Sequence, residues 1–555
     1  MATYYVAEGG TAANKAAATS GTYPTGCMSP SVHNGETFSA GDTIYLSDEG
    51  GDFVGTGTYV FNVPSSGSSG SPITYAAKDG DTPVIDGADD LTTAAHLWTE
   101  SSTSGEFYVR TSGGGDASIV DPQAIKMGST YVIVEGYSAG SLNDLEAAFG
   151  DNDGLGYNTL YVRDDTNGNP ETSGVTILAQ QRVPFRVYQK SYITIDGITA
   201  RHSAPQWYGG FHVDQSGAGS NCIVQNCIAE YNSSGIEMQR GNNNVIDNNI
   251  VRYNFGLGIN HKGATGVQIT GSEIKNNVVH TTYQTRFTSG LEDGYGIKCY
   301  WWNGGSVHNN EVYGCEFQGV DLDGDSDNWS GTDSVLFYEN YIHDNDGIGL
   351  MVEVGSDNNL IYTNWIEDNT SHQIRIWYNS KNNEFFSNVI IDSGTSNYLF
   401  QIHSSDQDAW ACSGTKLYNN ILYGGSIGIY VSGVNGLCVN NMKIYNNIFA
   451  NQDGNIMYMP SADFTGFDSD YNLFNEYLAI GGRSWATWQG LGYDTNSIDT
   501  ATSPFTNAAS GDFTIPVDSE AIGVADKTLG SPYNIGLLPG ASWPDGVTTG
   551  DRDDY

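Results

Sequence analysis

Asn340-Tyr-Ile-His-Asp-Asn-Asp-Gly-Ile-Gly-Leu-Met-Val-Glu353 starts at a turn residue, follows it with an apolar pair, breaks at glycine and enters a second short extended run. The opening returns 24 residues later as Asn364-Trp-Ile and again, after 24 more, as Asn388-Val-Ile. On either side stand Asp196-Gly-Ile, Asn226-Cys-Ile, Asn249-Ile-Val, Asn277-Val-Val and Asn310-Glu-Val, then Asn420-Ile-Leu, Asn447-Ile-Phe and Asn472-Leu-Phe. The apolar pair changes at each return, so the period is structural. Each repeat holds two or three short alternating segments with no helical periodicity between them. One such coil cannot bury its apolar side, whereas coils stacked ~4.8 Å apart bury a continuous core. Asparagine at the turn tolerates the left-handed conformation, and stacked carboxamides can bond from coil to coil. A leucine-rich repeat would fix Leu at set offsets and a propeller blade needs ~40 residues, so neither fits.

The totals narrow the function. The chain has 555 residues with 70 Gly, 15 Pro and 12% aromatics, too apolar for disorder and too glycine-rich for a helical protein. Twenty-two basic residues against 64 acidic ones give a net charge of −42, which argues against a nucleic-acid partner. No run is long and apolar enough for membrane insertion. The seven cysteines have no metal-ligand spacing and read as buried thiols. Met-Ala-Thr-Tyr-Tyr-Val at the start has neither the basic nor the apolar part of a secretory signal, so the expectation is a trimmed leader or export by cell lysis.

Gly41-Asp-Thr-Ile-Tyr-Leu46, the segment Ser71-Pro-Ile-Thr-Tyr-Ala-Ala-Lys-Asp-Gly-Asp-Thr-Pro-Val-Ile-Asp-Gly87, Thr159-Leu-Tyr-Val-Arg163 and Ser191-Tyr-Ile-Thr-Ile-Asp-Gly-Ile-Thr199 resemble the pectate-lyase-like superfamily. Asp494-Thr-Asn-Ser-Ile498, Gly511-Asp-Phe513 and Asn534-Ile-Gly536 resemble its closing segment. The resemblance implies an all-β, right-handed parallel β-helix. It covers bacterial secreted proteins and phage tailspike or depolymerase proteins and so leaves the chemistry open. The expected layout is an N-terminal cap and first coils at 1–85, a strand-rich insertion at 86–190, the main β-helix at 191–475, and a C-terminal cap and tail at 476–555.

In each coil one strand reads with its second and fourth residues outward. Stacking gives one outward column of His212, Glu237, Asn260, Lys298, Asp321, Met351, Arg375, Gln401 and Tyr430. A second holds Asp214, Gln239, Lys262, Tyr300, Asp323, Glu353, Trp377, His403 and Ser432. Asp321, Asp323 and Glu353 are the candidate catalytic acids, because crowded carboxylates separate into an acid and a base. Lys262, Lys298, Tyr300, Arg375, Trp377 and His403 are the candidate substrate contacts, with Trp301, Trp302 and Trp329 nearby as sugar-stacking rings. A solvated face of mixed charge is the plain alternative.

The expected function is degradation of a cell-surface or extracellular polysaccharide by carboxylate-based glycoside hydrolysis. β-Elimination on a uronate polymer, with Lys298 or Arg375 essential, is the rival enzyme. A non-catalytic glycan-binding or structural virion protein (tailspike, fibre or decoration) is the rival of another class. No cofactor is required. Ca²⁺ is the ion the Asp321–Asp327 loop invites, although the loop lacks the glycine and closing glutamate of an EF-hand. The expected location is extracellular or on a virion surface, as a homotrimer or among other virion proteins.

Overall fold

The computed structural model describes residues 1–521 except 56, 93–97, 111–121, 137–141, 151–158, 205–207, 215–219, 265, 285–293, 325–329, 395–396, 405–410, 433, 460–464, 477–478 and 517. It divides into two compact units, one of Met1–Lys262 with Asn277–Ile297, the other of Gly263–Asn276 with Lys298–Tyr555.

In the first unit the chain visits three parallel faces in turn. Ile193–Asp196, Ile223–Gln225 and Val245–Asp247 stack on one, Thr199–Arg201, Ile228–Glu230 and Ile250–Arg252 on the next, and Gly209–Asp214, Ser234–Gln239 and Leu257–Lys262 on the third. Strands between Ala88 and Gln180 leave this pattern and form a separate, mainly antiparallel sheet around Trp98, Phe107, Ile125, Leu160 and Ile177. Tyr131 of that sheet donates or accepts at His202 Nε2 (2.7 Å), and His202 Nδ1 meets Asp86 at 2.7 Å.

The second unit repeats the plan. Its first face runs from Glu273–Lys275 to Asp468–Asp470, its second from Glu311–Tyr313 to Ile498–Thr500, and its third contains Val320–Asp323, Leu350–Val352, His372–Trp377, Tyr398–His403 and Ile427–Ser432. Inward residues such as Val320, Leu322, Val352, Ile376 and Ile402 have no exposed surface. All seven cysteines are buried and none is in a disulfide.

The recurring asparagines form the spine. In the second unit Asn310, Asn340, Asn364, Asn388, Asn420, Asn447 and Asn472 are buried one above the other. Each donates its Nδ2 to the next Oδ1, at 2.9–3.1 Å from Asn310 through Asn447. The same Oδ1 accepts the preceding asparagine's backbone N–H, so every carboxamide is used. The left-handed residue is the one before it: Asn309, Glu339, Thr363, Ser387, Asn419 and Asn446 have φ of 51–58°. At these positions the expectation that the recurring asparagine itself takes that conformation is corrected, whereas Asn226 of the first unit, at φ 54°, meets it. The corner needs one residue to reverse the chain and a second to fill the hollow, and the two jobs fall on neighbours. A second pair at another corner, Asn345 donating its Nδ2 to Asn369 Oδ1 at 2.8 Å, packs against the backbone of Gly319 and Gly349, where a Cβ would lie 2.6–2.8 Å from the Asn345 or Asn369 carboxamide.

Asn364→Ala removes donors to Asn388, Phe337 and Tyr362 and the acceptor of Asn340. Leaving buried polar groups unmet costs on the order of 3 kcal/mol or more, to be read as a lower denaturant midpoint. Thr363 is β-branched at φ 51°. Thr363→Asn relieves that strain and should add up to about 1 kcal/mol, the same measurement showing a shift the other way.

Candidate active site

Register creates the acidic cluster. Val320, Asp321 and Leu322 pair with Leu350, Met351 and Val352, and Glu353 N–H donates to Leu322 O at 2.9 Å, carrying the ladder one residue further. Alternation turns Leu322 and Val352 inward and gives the opposite side to Asp321, Asp323 and Glu353. The three carboxylates each place an oxygen within 4.8 Å of the others. That is tighter than the ~8 Å expected diagonally from backbone spacing, because the side chains close the gap. Asp321 is wholly buried, Asp323 is 7% exposed and Glu353 is partly exposed.

Lys298, within strand Tyr295–Tyr300, puts Nζ 2.8 Å from Asp323 Oδ2 and 3.3 Å from Asp321 Oδ2. Gly324 N–H donates to Asp323 Oδ1 at 2.6 Å, while Asp321 Oδ1 accepts no hydrogen bond. Burial above all, with the charge of Asp323, pushes the Asp321 carboxyl up to about 7 against the pull of Lys298. Burial and the charges of Asp321 and Asp323 raise Glu353 well above the ordinary range, with Lys298 and Arg375 opposing. Three acids with one ammonium therefore hold protons at neutral pH, and the protons belong to the group jointly.

The neighbouring coils supply the other predicted residues. Met351 pairs with Arg375 and Arg375 with Gln401, and Trp377 pairs with His403, as the two outward columns require. The Arg375 guanidinium lies 4.1 Å from the Trp377 ring centre, and its buried Nε has no hydrogen-bond partner. Tyr378 stacks on Trp377 at 3.9 Å, so Trp377 offers a ligand only the ring area these two neighbours leave. Tyr378 sits at φ 41°, a side-chain direction no alternation pattern reveals. His403 lies 6.0 Å from Trp377 and bonds Ser432 Oγ through Nδ1 at 2.7 Å. Tyr300 lies 5.6 Å from Lys298 Nζ. Lys262 belongs to the first unit, where it pairs with the buried Glu237 at 3.1 Å opposite His212 at 3.2 Å. Two expectations change. Trp302 has no exposed surface and Trp301 only 9%, so neither is a sugar platform, because the chain turns them into the wall at the strand end. Asp325, Asp327 and Trp329 lie outside the described residues.

The three carboxylates are the donor type Ca²⁺ takes, but that ion wants about six to eight oxygens. The Lys298 ammonium already lies against two of the three, supplying positive charge where a cation would.

A family model for a right-handed β-helix region matches residues 149–317 and 209–390. The chain is a right-handed parallel β-helix. Among solved structures of similar fold, the complex of XylC with xylose matches over 90% of this chain and 86% of that one, with 14% identity and a TM-score of 0.59. A glycoside hydrolase matches over 77% and 97% with 11% identity and a TM-score of 0.49. Pectate lyase Pel9A matches over 97% and 96% with 14% identity and a TM-score of 0.38. No curated protein matches the β-helix in sequence.

The raised Asp321 value sets a stability test. Its folded value of about 7 lies above 3.8, so its protonated form favours folding; that contribution is complete below pH ~4 and lost as pH rises through about 7. Asp321→Asn should therefore stabilise the fold at pH 8 by on the order of 2–4 kcal/mol, read as a higher melting temperature, and the gain should vanish near pH 4.

Proposed function

We propose that the β-helix hydrolyses glycosidic bonds in a polysaccharide, with Glu353 as the acid and Asp323 as the nucleophile. The observation that carries this reading is the packing of Asp321, Asp323 and Glu353 with oxygens within 4.8 Å of one another. Retaining glycosidases hold their two carboxyls ~5–5.5 Å apart and inverting ones ~6.5–9.5 Å; the spacing here suits retention.

The roles follow from the surroundings. Asp323 accepts from the Gly324 N–H and pairs with Lys298, partners that complement a carboxylate. Its small exposed surface lets it meet an anomeric carbon. Glu353 keeps a proton because burial and two neighbouring acids raise it, so it can protonate the departing oxygen. Having given that proton to the departing oxygen, Glu353 is a carboxylate in the covalent intermediate; with the Asp323 charge consumed it is less driven to take a proton back at once, and it acts as the base that accepts one from the attacking water. Asp321 stands behind as a buried, proton-sharing neighbour, and Lys298 limits the repulsion. Arg375 and Trp377 lie one coil beyond Glu353 and are placed to bind a following sugar. The solved relative XylC was seen with xylose, which supports a sugar ligand on this fold.

For Lys298 to be the base of a β-elimination its amine would have to be neutral, and held between two carboxylates at 2.8 and 3.3 Å it is complemented as ammonium instead. The acidic surface, at −42 per chain, supports a place outside the cell or on a virion. Trimeric assembly remains part of that proposal, with light-scattering mass as its test.

On a panel of neutral and acidic polysaccharides, turnover should release reducing ends without the ultraviolet absorbance of unsaturated products. Asp323→Asn and Glu353→Gln should each lower it by orders of magnitude while leaving glycan binding near normal. EDTA should leave it unchanged. Full activity in both variants ends this assignment, and absorbing products would favour the lyase.

A further inference from the structure

The third face of the first unit carries an outward column of its own. Arg186 pairs with His212, His212 with Glu237 and Glu237 with Asn260. Phe211, Val213, Ile236, Met238 and Ile259 of the same strands turn inward and have no exposed surface. Rungs of a parallel stack lie ~4.8 Å apart, so the four outward residues span roughly 14 Å. That length takes a short oligosaccharide laid along the column.

Two observations separate this strip from a self-contained salt-bridge network. The first is a cation without an anion. The half-buried Arg186 guanidinium lies 4.3 Å from the Tyr59 ring centre and 4.1 Å from that of Tyr188. Among the described residues no hydrogen bond or ion pair meets it, and its buried Nε has no acceptor. The rings steady the cation, but its five N–H donors call for oxygens. Neighbouring charges are already matched: Lys262 Nζ meets Glu237 at 3.1 Å, and Arg240 stands 4.0 Å from Asp214. The strip is left with one positive charge in excess, in a chain whose net charge is −42. The second observation is a pair of buried polar side chains with open ends. Asn260 is 3% exposed, and among the described residues its carboxamide makes no hydrogen bond. His212 is also 3% exposed; its Nδ1 meets Glu237 Oε2 at 3.2 Å, while its Nε2 has no partner. Against the effect of burial, His212 and Lys262 hold the Glu237 carboxyl below its ordinary range, so Nδ1 carries the hydrogen and Nε2 is left to accept. Buried polar groups are ordinarily bonded, and here three of four successive coils leave theirs open on the same side.

We propose that this strip binds an oligosaccharide bearing one anionic unit, with Arg186 taking its anionic oxygen group and His212 and Asn260 taking hydroxyls of that sugar and its neighbours. A carboxylate or a sulfate ester matches the planar fork of an arginine, which serves two oxygens at once. His212 Nε2 accepts from a hydroxyl, and the Asn260 carboxamide both donates and accepts, as a hydroxyl does. A wholly neutral glycan leaves Arg186 unanswered. A glycan anionic at every unit would meet the Glu237 and Asp214 carboxylates further along, so a single acidic unit among neutral ones suits the column. The site goes beyond the hydrolase reading and holds its ligand whether or not Asp323 and Glu353 cleave it.

The test uses the full chain with Asp323→Asn and Glu353→Gln, so that no turnover intervenes, titrated calorimetrically. The probes are a trisaccharide of one glucuronate and two xylose units, a galactose trisaccharide with a single sulfate ester, their neutral counterparts, and inorganic sulfate. The expected result is saturable binding of at least one anionic trisaccharide, about tenfold or more tighter than its neutral counterpart and than inorganic sulfate. The better binder of the two identifies the anionic group. Arg186→Gln should weaken that binding about tenfold or more, and Arg186→Lys, which keeps the charge but loses the fork, is the second variant if the first fails to fold. Asn260→Ala should also weaken it, with an unchanged melting temperature, because the carboxamide it removes bonds nothing in the fold. Absence of binding by both anionic probes, equal binding of the neutral ones, or binding that a folded Arg186 variant leaves intact overturns the site. None of these results bears on cleavage, which reducing-end release from the unsubstituted protein measures separately.

Discussion

Coil-to-coil register is the constraint on which the second unit depends. Parallel strands stack one residue directly over its counterpart, and a slip of one position would exchange every inward and outward side chain. The buried asparagine spine resists that slip. Each carboxamide bonds the next coil's carboxamide and also backbone atoms of neighbouring coils, and a shifted rung would leave several buried polar groups unmet. Identical corners then let loop lengths vary between coils without disturbing the columns. The price is local backbone strain at residues such as Thr363 and Glu339, which occupy left-handed space without glycine's freedom.

The same regularity explains how much was legible in sequence. The recurring Asn with its apolar pair identified the period, and two-residue alternation identified both outward columns; Arg375, Gln401 and Tyr430 fall in line, as do Trp377, His403 and Ser432. The grouping of Asp321, Asp323 and Glu353 followed from that register. The closeness of their carboxylates did not, since it depends on rotamers. Nor did the burial of Trp302, which lies past the end of its strand where alternation no longer applies. The cover of Tyr378 on Trp377 depends on a positive φ at a residue that rarely takes one.

Charge gives the acidic cluster its chemical character. A solvated face would let each carboxylate ionise independently, whereas burial makes the ions compete for one ammonium. Lys298 meets two of the three acids, so the surplus is relieved by protons on Asp321 and Glu353. An acid that keeps its proton beside a carboxylate engaged by a lysine and a backbone N–H is the arrangement double displacement at a sugar needs. It is also intrinsically destabilising, and the apolar rows beneath, with Leu322 and Val352 fully buried, hold it in place.

The most direct measurement of the proposed chemistry is the anomeric configuration of the first product. Proton NMR of a cleavage reaction, recorded before mutarotation, distinguishes the two outcomes on any susceptible glycan. Carboxylates this close predict a product with the anomeric configuration of the substrate bond. An inverted first product would contradict the assignment of Asp323 as nucleophile and Glu353 as acid.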